Sequence, residues 1–235
     1  MKLIRSLGQK KYRLEHGLFV VEGQKAISEF LGRRHKVHKI YVTDAFASDF
    51  GAYPVVPVTP RQLGQMSQLK NPSGALAVFG IPAPEPFLPT GWCLALDGVQ
   101  DPGNLGTIIR LCDWFQIDRL LCSPNTVDCY NPKVLQATMG SLARVKVHYG
   151  PLPTFFEAWD GPVYGAFMDG AAAQRTEFGA KGMLLMGNEG QGISKEMAKW
   201  CTARVGVPQF GPPTAESLNV ATATAILLHE VRRGH

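Results

Sequence analysis

The chain has 235 residues, 45% of them hydrophobic, enough for a buried core and for either one large domain or two small ones. No run of about 18 apolar residues occurs, which speaks against a membrane span, and no apolar signal core follows Met1-Lys2-Leu3-Ile4-Arg5, so a cytoplasmic protein without a secretion signal is expected. The five cysteines, Cys93, Cys112, Cys122, Cys129 and Cys201, are odd in number and form no C-x-x-C pair, which argues against a disulfide framework or a zinc site, and no metal is expected.

The net charge of +5 is unevenly placed. Residues 1–75 hold 12 Lys and Arg against 5 Asp and Glu, a local excess of +7, whereas residues 92–235 hold 12 against 13. A basic module that attracts a polyanion, joined to a neutral domain, accounts for this asymmetry, and so does a solvated basic surface without a partner.

In chain order, residues 2–14 read as one basic helix, Leu18–Gly23 as a strand ending in a turn, and residues 24–32 as a helix with Ala26, Ile27, Phe30 and Leu31 on one face. Val37–Val42 and Val55–Val58 read as strands, residues 60–68 as a helix opened by Pro60, and Ala75–Phe79 as the strand that closes a small α/β domain over residues 1–79. Residues 80–91 contain Pro82, Pro84, Pro86 and Pro89, which forbid helix and predict an extended linker. Beyond it, apolar runs at 93–97, 119–122, 145–148, 163–167, 183–187 and 204–207 read as buried strands. Helical patterns lie at 105–116, 132–143, 153–159, 194–200 and 217–232. This alternation predicts a second α/β domain over residues 92–235, a mostly parallel sheet with helices on both faces.

Three polar motifs punctuate that domain. After the strand Leu94–Asp97 comes Asp101-Pro102-Gly103-Asn104-Leu105-Gly106-Thr107-Ile108-Ile109-Arg110, in which Asn104 is a candidate N-cap and Arg110 a candidate phosphate clamp; alone, it is accounted for by a cap and a surface arginine. The second motif, Met186-Gly187-Asn188-Glu189-Gly190-Gln191-Gly192, lets backbone approach a ligand closely. It lacks the lysine of a P-loop and the spacing of a dinucleotide fingerprint, and the Glu189 carboxylate would repel a phosphate. A tight strand-to-helix turn explains the same glycines. The third, Glu216-Ser217-Leu218-Asn219-Val220, places Ser217 as a candidate N-cap of the last helix, followed by small residues suited to close packing.

Taken together, these motifs resemble the SpoU/TrmH family of the SPOUT methyltransferase superfamily. Its N-x-G-x-x-x-R motif is matched by Asn104, Gly106 and Arg110, its G-x-E-G-x-G by Gly187, Glu189, Gly190 and Gly192, and its proline loop with S-L-N-V by Pro208 and Ser217 to Val220. Lys10-Lys11-Tyr12-Arg13 and Phe19-Val20-Val21-Glu22-Gly23 look like the substrate-binding domain of the family's rRNA-directed members, a fold shared with a ribosomal protein family. The resemblance implies S-adenosylmethionine as cofactor, methyl transfer to a ribose 2′-hydroxyl, a deep trefoil knot and a homodimer. It implies catalytic roles for Arg110, Asn104, Glu189 and Asn219, the last three holding the arginine and the ribose. It implies cofactor contacts from Gly187, Val207 and Leu218 with Met186, Asn188 and Ser217, with help from the loop at Met168, Asp169 and Gly170.

The chain departs from the family in the long proline-rich stretch between Pro208 and Ser217, and in Ala221-Thr222-Ala223-Thr224 after Asn219. The resemblance implies large-subunit rRNA rather than tRNA, because tRNA-directed relatives usually lack such an N-terminal domain. A tRNA-directed enzyme, a non-enzymatic RNA-binding protein and a nucleotide-binding enzyme remain the alternatives, the last lacking the lysine it needs.

Overall fold

The computed structural model describes residues 1–45, 50, 51, 53–88, 90–211 and 216–233. The chain divides into two compact units, Met1–Pro84 with Asp128–Arg144, and Glu85–Val127 with Val145–His235.

In the first unit, α1 (Lys2–Ser6) and α2 (Lys10–His16) precede β1 (Leu18–Glu22), α3 (Gln24–Phe30), β2 (Val37–Val42), β3 (Val55–Pro57), α4 (Pro60–Met66) and β4 (Ala75–Gly80). The sheet runs β1-β4-β2-β3, antiparallel except for β2 with β3. The expected single helix over 2–14 is two. Gln9 is extended, and the guanidinium of buried Arg13 donates to the carbonyls of Leu7 and Gly8, both at 2.9 Å, satisfying the end of α1 instead of letting it continue. α4 carries a complete capping box, Thr59 with Gln62, behind Pro60. Strand alternation splits the apolar residues between two faces. Val20, Leu76 and Val78 pack with Ile4, Leu63 and Met66 on one. On the other, Phe19 stacks on Phe79 and packs at a tilt against Phe30 and against Tyr130, the last at 4.5 Å between centroids.

Tyr130 comes from the returning segment, which carries α6 (Pro132–Thr138). The expected helix over 132–143 stops early because Met139 and Gly140 take left-handed φ values of 51° and 94°. A Cβ at Gly140 would lie 2.6 Å from Glu29 Cγ, so the turn is glycine for reasons of space as well as conformation. Segment 128–144, read from sequence as part of the domain over 92–235, thus groups with the first unit through Arg13–Asp128, Glu29–Arg144 and Phe19–Tyr130.

His35 sits in the same aromatic box, 2% exposed, with both ring nitrogens lacking a hydrogen-bond partner among the described residues. Burial, and secondarily the charge of Arg34, push its pKa from 6.5 down to about 3. The folded form therefore holds the neutral ring. Its full stability is present above pH 6.5, and as pH falls from there toward about 3 the unfolded chain binds a proton that the folded chain refuses. The loss reaches up to about 1.4 kcal/mol per pH unit. His35→Leu, which fills the box without an unpaired polar atom, is expected to flatten that slope. Urea melts of both proteins at about pH 7 and about pH 5 check this; parallel losses in the two would contradict it.

The second unit is a six-stranded, all-parallel sheet in the order β10-β8-β9-β5-β6-β7. Its strands are β5 (Trp92–Asp97), β6 (Arg119–Cys122), β7 (Lys146–Tyr149), β8 (Val163–Ala172), β9 (Gly182–Gly187) and β10 (Ala203–Gly206). Its helices are α5 (Pro102–Trp114), α7 (Leu152–Glu157), α8 (Lys195–Ala198) and α9 (Val220–Arg232). β5 and β9 are apolar almost throughout and buried on both faces, as central parallel strands covered by helices must be. Beyond Gly80, which ends β4, the described residues of the proline-rich stretch take neither helix nor strand, and from Glu85 on it belongs to this unit: Glu85 pairs with Lys146 at 2.6 Å, and Phe87 meets Phe155 edge to face. Pro89 and residues 212–215 of the unusual loop lie outside the described residues.

β8 departs from a simple strand. Tyr164 and Gly165 pair with Ala203 and Arg204, but the next pairs are Ala171 with Val205 and Ala172 with Gly206. Residues 166–170 therefore stand out of the ladder as a five-residue excursion.

Candidate active site

The carboxyl ends of β5, β9 and β10 deliver Asp97, Gly187 and Gly206 to one edge of the sheet, where open α/β sheets hold their ligands. A cavity of about 480 Å³ opens there, within the range of small-molecule sites. All six residues expected to contact a cofactor line it: Met186, Gly187, Asn188, Val207, Ser217 and Leu218. Met168 lines it as well, whereas Asp169 and Gly170 do not. Sequence reasoning missed the apolar walls Ala166, Phe167, Val205 and Leu227, which belong to the excursion, to β10 and to the interior face of α9.

The glycine-rich loop is built by main chain. Asn188 and Gly192 exchange backbone hydrogen bonds of 3.0 and 2.9 Å. The Asn188 side chain is fully engaged in the same turn, accepting from Gly190 N and Gln191 N and donating to Gly98 O at 2.7 Å. Asn188 thus reaches a ligand with backbone rather than amide. Among the described lining residues the only charged groups are Glu189 and Glu216, and no cation is present. Such walls repel a polyphosphate and suit a ligand that is apolar with a positive centre.

Glu189 organises the groups around it. Its carboxylate accepts from the backbone N–H of Gln100 (3.2 Å) and Asp101 (3.1 Å) and from Asn104 Nδ2 (3.1 Å). Burial alone would raise its pKa, but the Asn104 amide and the backbone donors outweigh it and hold the carboxyl below its ordinary value, so it is ionised at neutral pH. An ionised carboxylate only accepts, which fixes the polarity of everything beyond it. Asn104 must turn its NH2 to Glu189, leaving its carbonyl to accept from Asn219 Nδ2 at 2.8 Å. Asn219 then has only its carbonyl left for α9, where it caps Ala221 N (2.9 Å) and Thr222 N (3.2 Å).

Two expected caps are corrected by this arrangement. The N-cap of α5 is Asp101, whose carboxylate accepts from Asn104 N at 2.8 Å with Pro102 at the first helical position. Asn104 lies inside the first turn, its side chain free to reach Glu189. The N-cap of α9 is Asn219, not Ser217, and the helix begins at Val220.

The structure brings Asn104, Glu189 and Asn219 together but does not add Arg110 to them. Six residues after Asn104, Arg110 points about 120° around the helix from it. It is exposed and makes no hydrogen bond among the described residues. The three polar residues hold one another rather than the arginine. Exposed Trp114 follows one turn later on the Arg110 face, and Ile226 is exposed on α9, which packs beside α5.

A glycine-lined cavity at the carboxyl edge of a parallel sheet, without cations among its described lining residues, defines a small-molecule site of the cofactor-binding α/β class. The chain belongs to the SpoU rRNA Methylase family, which matches residues 91–229; an MRM3-like substrate binding domain matches residues 1–77. It is 32% identical to the 23S rRNA (guanosine(2553)-2′-O)-methyltransferase of Bacillus subtilis, over 97% of this chain and 94% of that one. Among solved structures it is similar to a TrmH-family protein from Porphyromonas gingivalis (TM-score 0.89, 38% identity, 100% of this chain and 97% of that one). It is also similar to an AdoMet-bound rRNA methyltransferase from Sinorhizobium meliloti (TM-score 0.86, 30% identity, 99% and 94%).

Proposed function

We propose that this protein transfers a methyl group from S-adenosylmethionine to a ribose 2′-hydroxyl of large-subunit rRNA. The observation that carries the reading is the cavity, whose described walls hold no cation, lined by the motif residues and joined through Glu189 and Asn104 to α5. The B. subtilis relative acts on 23S rRNA and the S. meliloti relative is AdoMet-bound. Gly187, Met186, Asn188 and Val207 would hold the cofactor mainly by backbone, with Leu218 and Phe167 as apolar walls and Ser217 at the rim. Bound there, the cofactor supplies an electrophilic methyl on a sulfonium centre.

A ribose hydroxyl is a weak acid, so its proton must leave as the new bond forms. Guanidinium groups stay protonated in proteins. Arg110 is therefore assigned to clamp the adjacent phosphate and to stabilise oxyanion charge, while the hydroxyl proton passes to solvent water. Asn104, Glu189 and Asn219 set the start of α5 and the start of α9 around the ribose. The exposed cations Lys2, Arg5, Lys10 and Lys11 of the first unit support a role for it in attracting RNA.

The separation of Arg110 from its own chain's network, with exposed Trp114 and Ile226 nearby, supports a homodimer in which a second copy completes the site. The family resemblance adds a trefoil knot in the cofactor loops, and the five cysteines, none of them in a disulfide among the described residues, support a reducing, cytoplasmic setting; among the described residues no helix is long and apolar enough to cross a membrane.

The test is mass mapping of ribose methylation on 23S rRNA with labelled cofactor. Arg110→Ala is expected to lower turnover by about 10²-fold or more, the size of losing one oxyanion-stabilising donor, with cofactor affinity unchanged by titration calorimetry. Mixing it with inactive Glu189→Ala subunits is expected to restore part of the activity through heterodimers. Full activity of Arg110→Ala, or no heat with cofactor for the wild type, would overturn the reading.

A further inference from the structure

We propose that Arg204 is a positioning residue for cofactor binding, strapping the 166–170 excursion in place as a wall of the cavity. The inference rests on the assignment of that cavity to S-adenosylmethionine.

The excursion needs holding because it has left the ladder. Its main chain instead lies directly on β10, where only glycine permits the approach. A Cβ on Gly206 would lie 2.5 Å from Phe167 O, and one on Gly170 would lie 2.4 Å from the Val205 carbonyl carbon. Ala166, Phe167 and Met168 then form one wall of the cavity, with Met168 still 67% exposed.

Arg204, on the edge strand β10, makes two side-chain contacts with this segment. Its guanidinium lies 3.5 Å from the centroid of the Phe167 ring, and the same group donates to the carboxylate of Asp169. The Asp169 carboxyl is kept below its ordinary pKa by that hydrogen bond. An exposed ion pair alone stabilises little. Here a single planar group stacks on residue 167 and pairs with residue 169, fixing the ring and the chain two residues on. Arginine suits this task and lysine does not, since only a guanidinium stacks flat while its edge donates. The Phe167 ring also packs close to Gly165, where an added Cβ would lie 2.5 Å from both Cys201 Sγ and Phe167 Cε2. Arg204 itself does not line the cavity, and its effect on a ligand passes through Phe167.

The experiment compares full-length wild type, Arg204→Ala and Arg204→Lys. Cofactor affinity is measured by titration calorimetry, kcat and KM by methylation of 23S rRNA, and amide hydrogen exchange over residues 166–170 without cofactor. Arg204→Ala is expected to weaken cofactor binding by about tenfold, raise the cofactor KM alike, leave kcat at saturation within about twofold, and speed exchange in the excursion. Arg204→Lys, which keeps the charge and loses the stack, is expected to recover less than half of the affinity. Unchanged affinity and exchange in Arg204→Ala overturn the proposal, as does a fall in kcat with KM constant, which would place Arg204 in the chemistry. If the wild type binds no cofactor, the assignment of the cavity fails, and hydrogen exchange still decides whether Arg204 holds the segment.

Discussion

Arg13→Ala is expected to destabilise the first unit by about 3–5 kcal/mol, the cost of breaking a buried ion pair from one side, and to lower its melting midpoint by more than about 10 °C. Arg13 is 2% exposed and all three of its guanidinium nitrogens donate. Nε and Nη2 donate to Asp128 Oδ2 at 3.1 and 2.5 Å, and Nη1 donates to the carbonyls of Leu7 and Gly8. Alanine would leave a half-buried carboxylate without its cation, two helix-terminal carbonyls without donors, and a void where the side chain packed. Arg13→Lys is expected to recover little, because one ammonium cannot span both α1 and Asp128. Thermal melts followed by circular dichroism measure the effect, and a midpoint within a degree or two of wild type would remove Arg13 from the fold's supports. The same contact alters how RNA binding is to be tested. Excising residues 1–80 strips Asp128 of Arg13 and Tyr130 of Phe19, so the truncation would unfold more than a basic surface. Exchanging exposed Lys10 and Lys11 for glutamate is the cleaner probe.

Most strands of the second unit were legible as short apolar runs because central parallel strands are buried on both faces and need no alternation. The positions of Leu94, Leu121 and Leu184 follow from that alone. Features decided by distant contacts were not legible. In residues 2–14 Gly8 is the one local hint of a break, and the break itself depends on Arg13 folding back to cap Leu7. Nothing in the helical pattern of 132–143 says that Tyr130 packs on Phe19 or that Met139 turns left-handed. The excursion at 166–170 is equally hidden, because it depends on Gly170 and Gly206 meeting across two strands.

The candidate site divides in the same way. The glycine loop and the S-L-N-V segment are local patterns, and their residues lie on the walls of one cavity. Roles were harder to read than positions. Asn104 and Ser217 both look like helix caps, yet Asp101 and Asn219 hold those places, because a cap is chosen by which side chain has no better partner. Asn104 has one in Glu189, 85 residues later in the chain. Arg204 and Phe167 left no trace in sequence, since a cation stacked on a ring across two strands has no spacing rule.

Gly187→Ala is expected to reduce cofactor binding by about 100-fold or more, the largest loss from adding a single carbon. A Cβ there would lie 2.1 Å from Gly192 C and 2.2 Å from Ile193 N. Both are backbone atoms, and they belong to a loop already tied by the paired Asn188 and Gly192 bonds, so relief requires moving the whole turn. Moving it carries Glu189 away from Gln100, Asp101 and Asn104, and with Asn104 goes the hold on Asn219. One added methyl thus spoils the cofactor bed and the tie between α5 and α9 together. Two neighbouring glycines provide the scale. At Gly190 the nearest atom to an added Cβ is Asn188 Oδ1 at 3.7 Å, an ordinary contact, so Gly190→Ala is expected to bind as wild type. Gly192 has open space but a φ of 67°, so Gly192→Ala carries only conformational strain of about 1 kcal/mol and an intermediate loss. Titration calorimetry on the three variants should give the order Gly190, Gly192, Gly187. If Gly187→Ala binds as well as Gly190→Ala, the turn yields more easily than its close contacts allow, and the rigidity ascribed to the cofactor bed is lost with it.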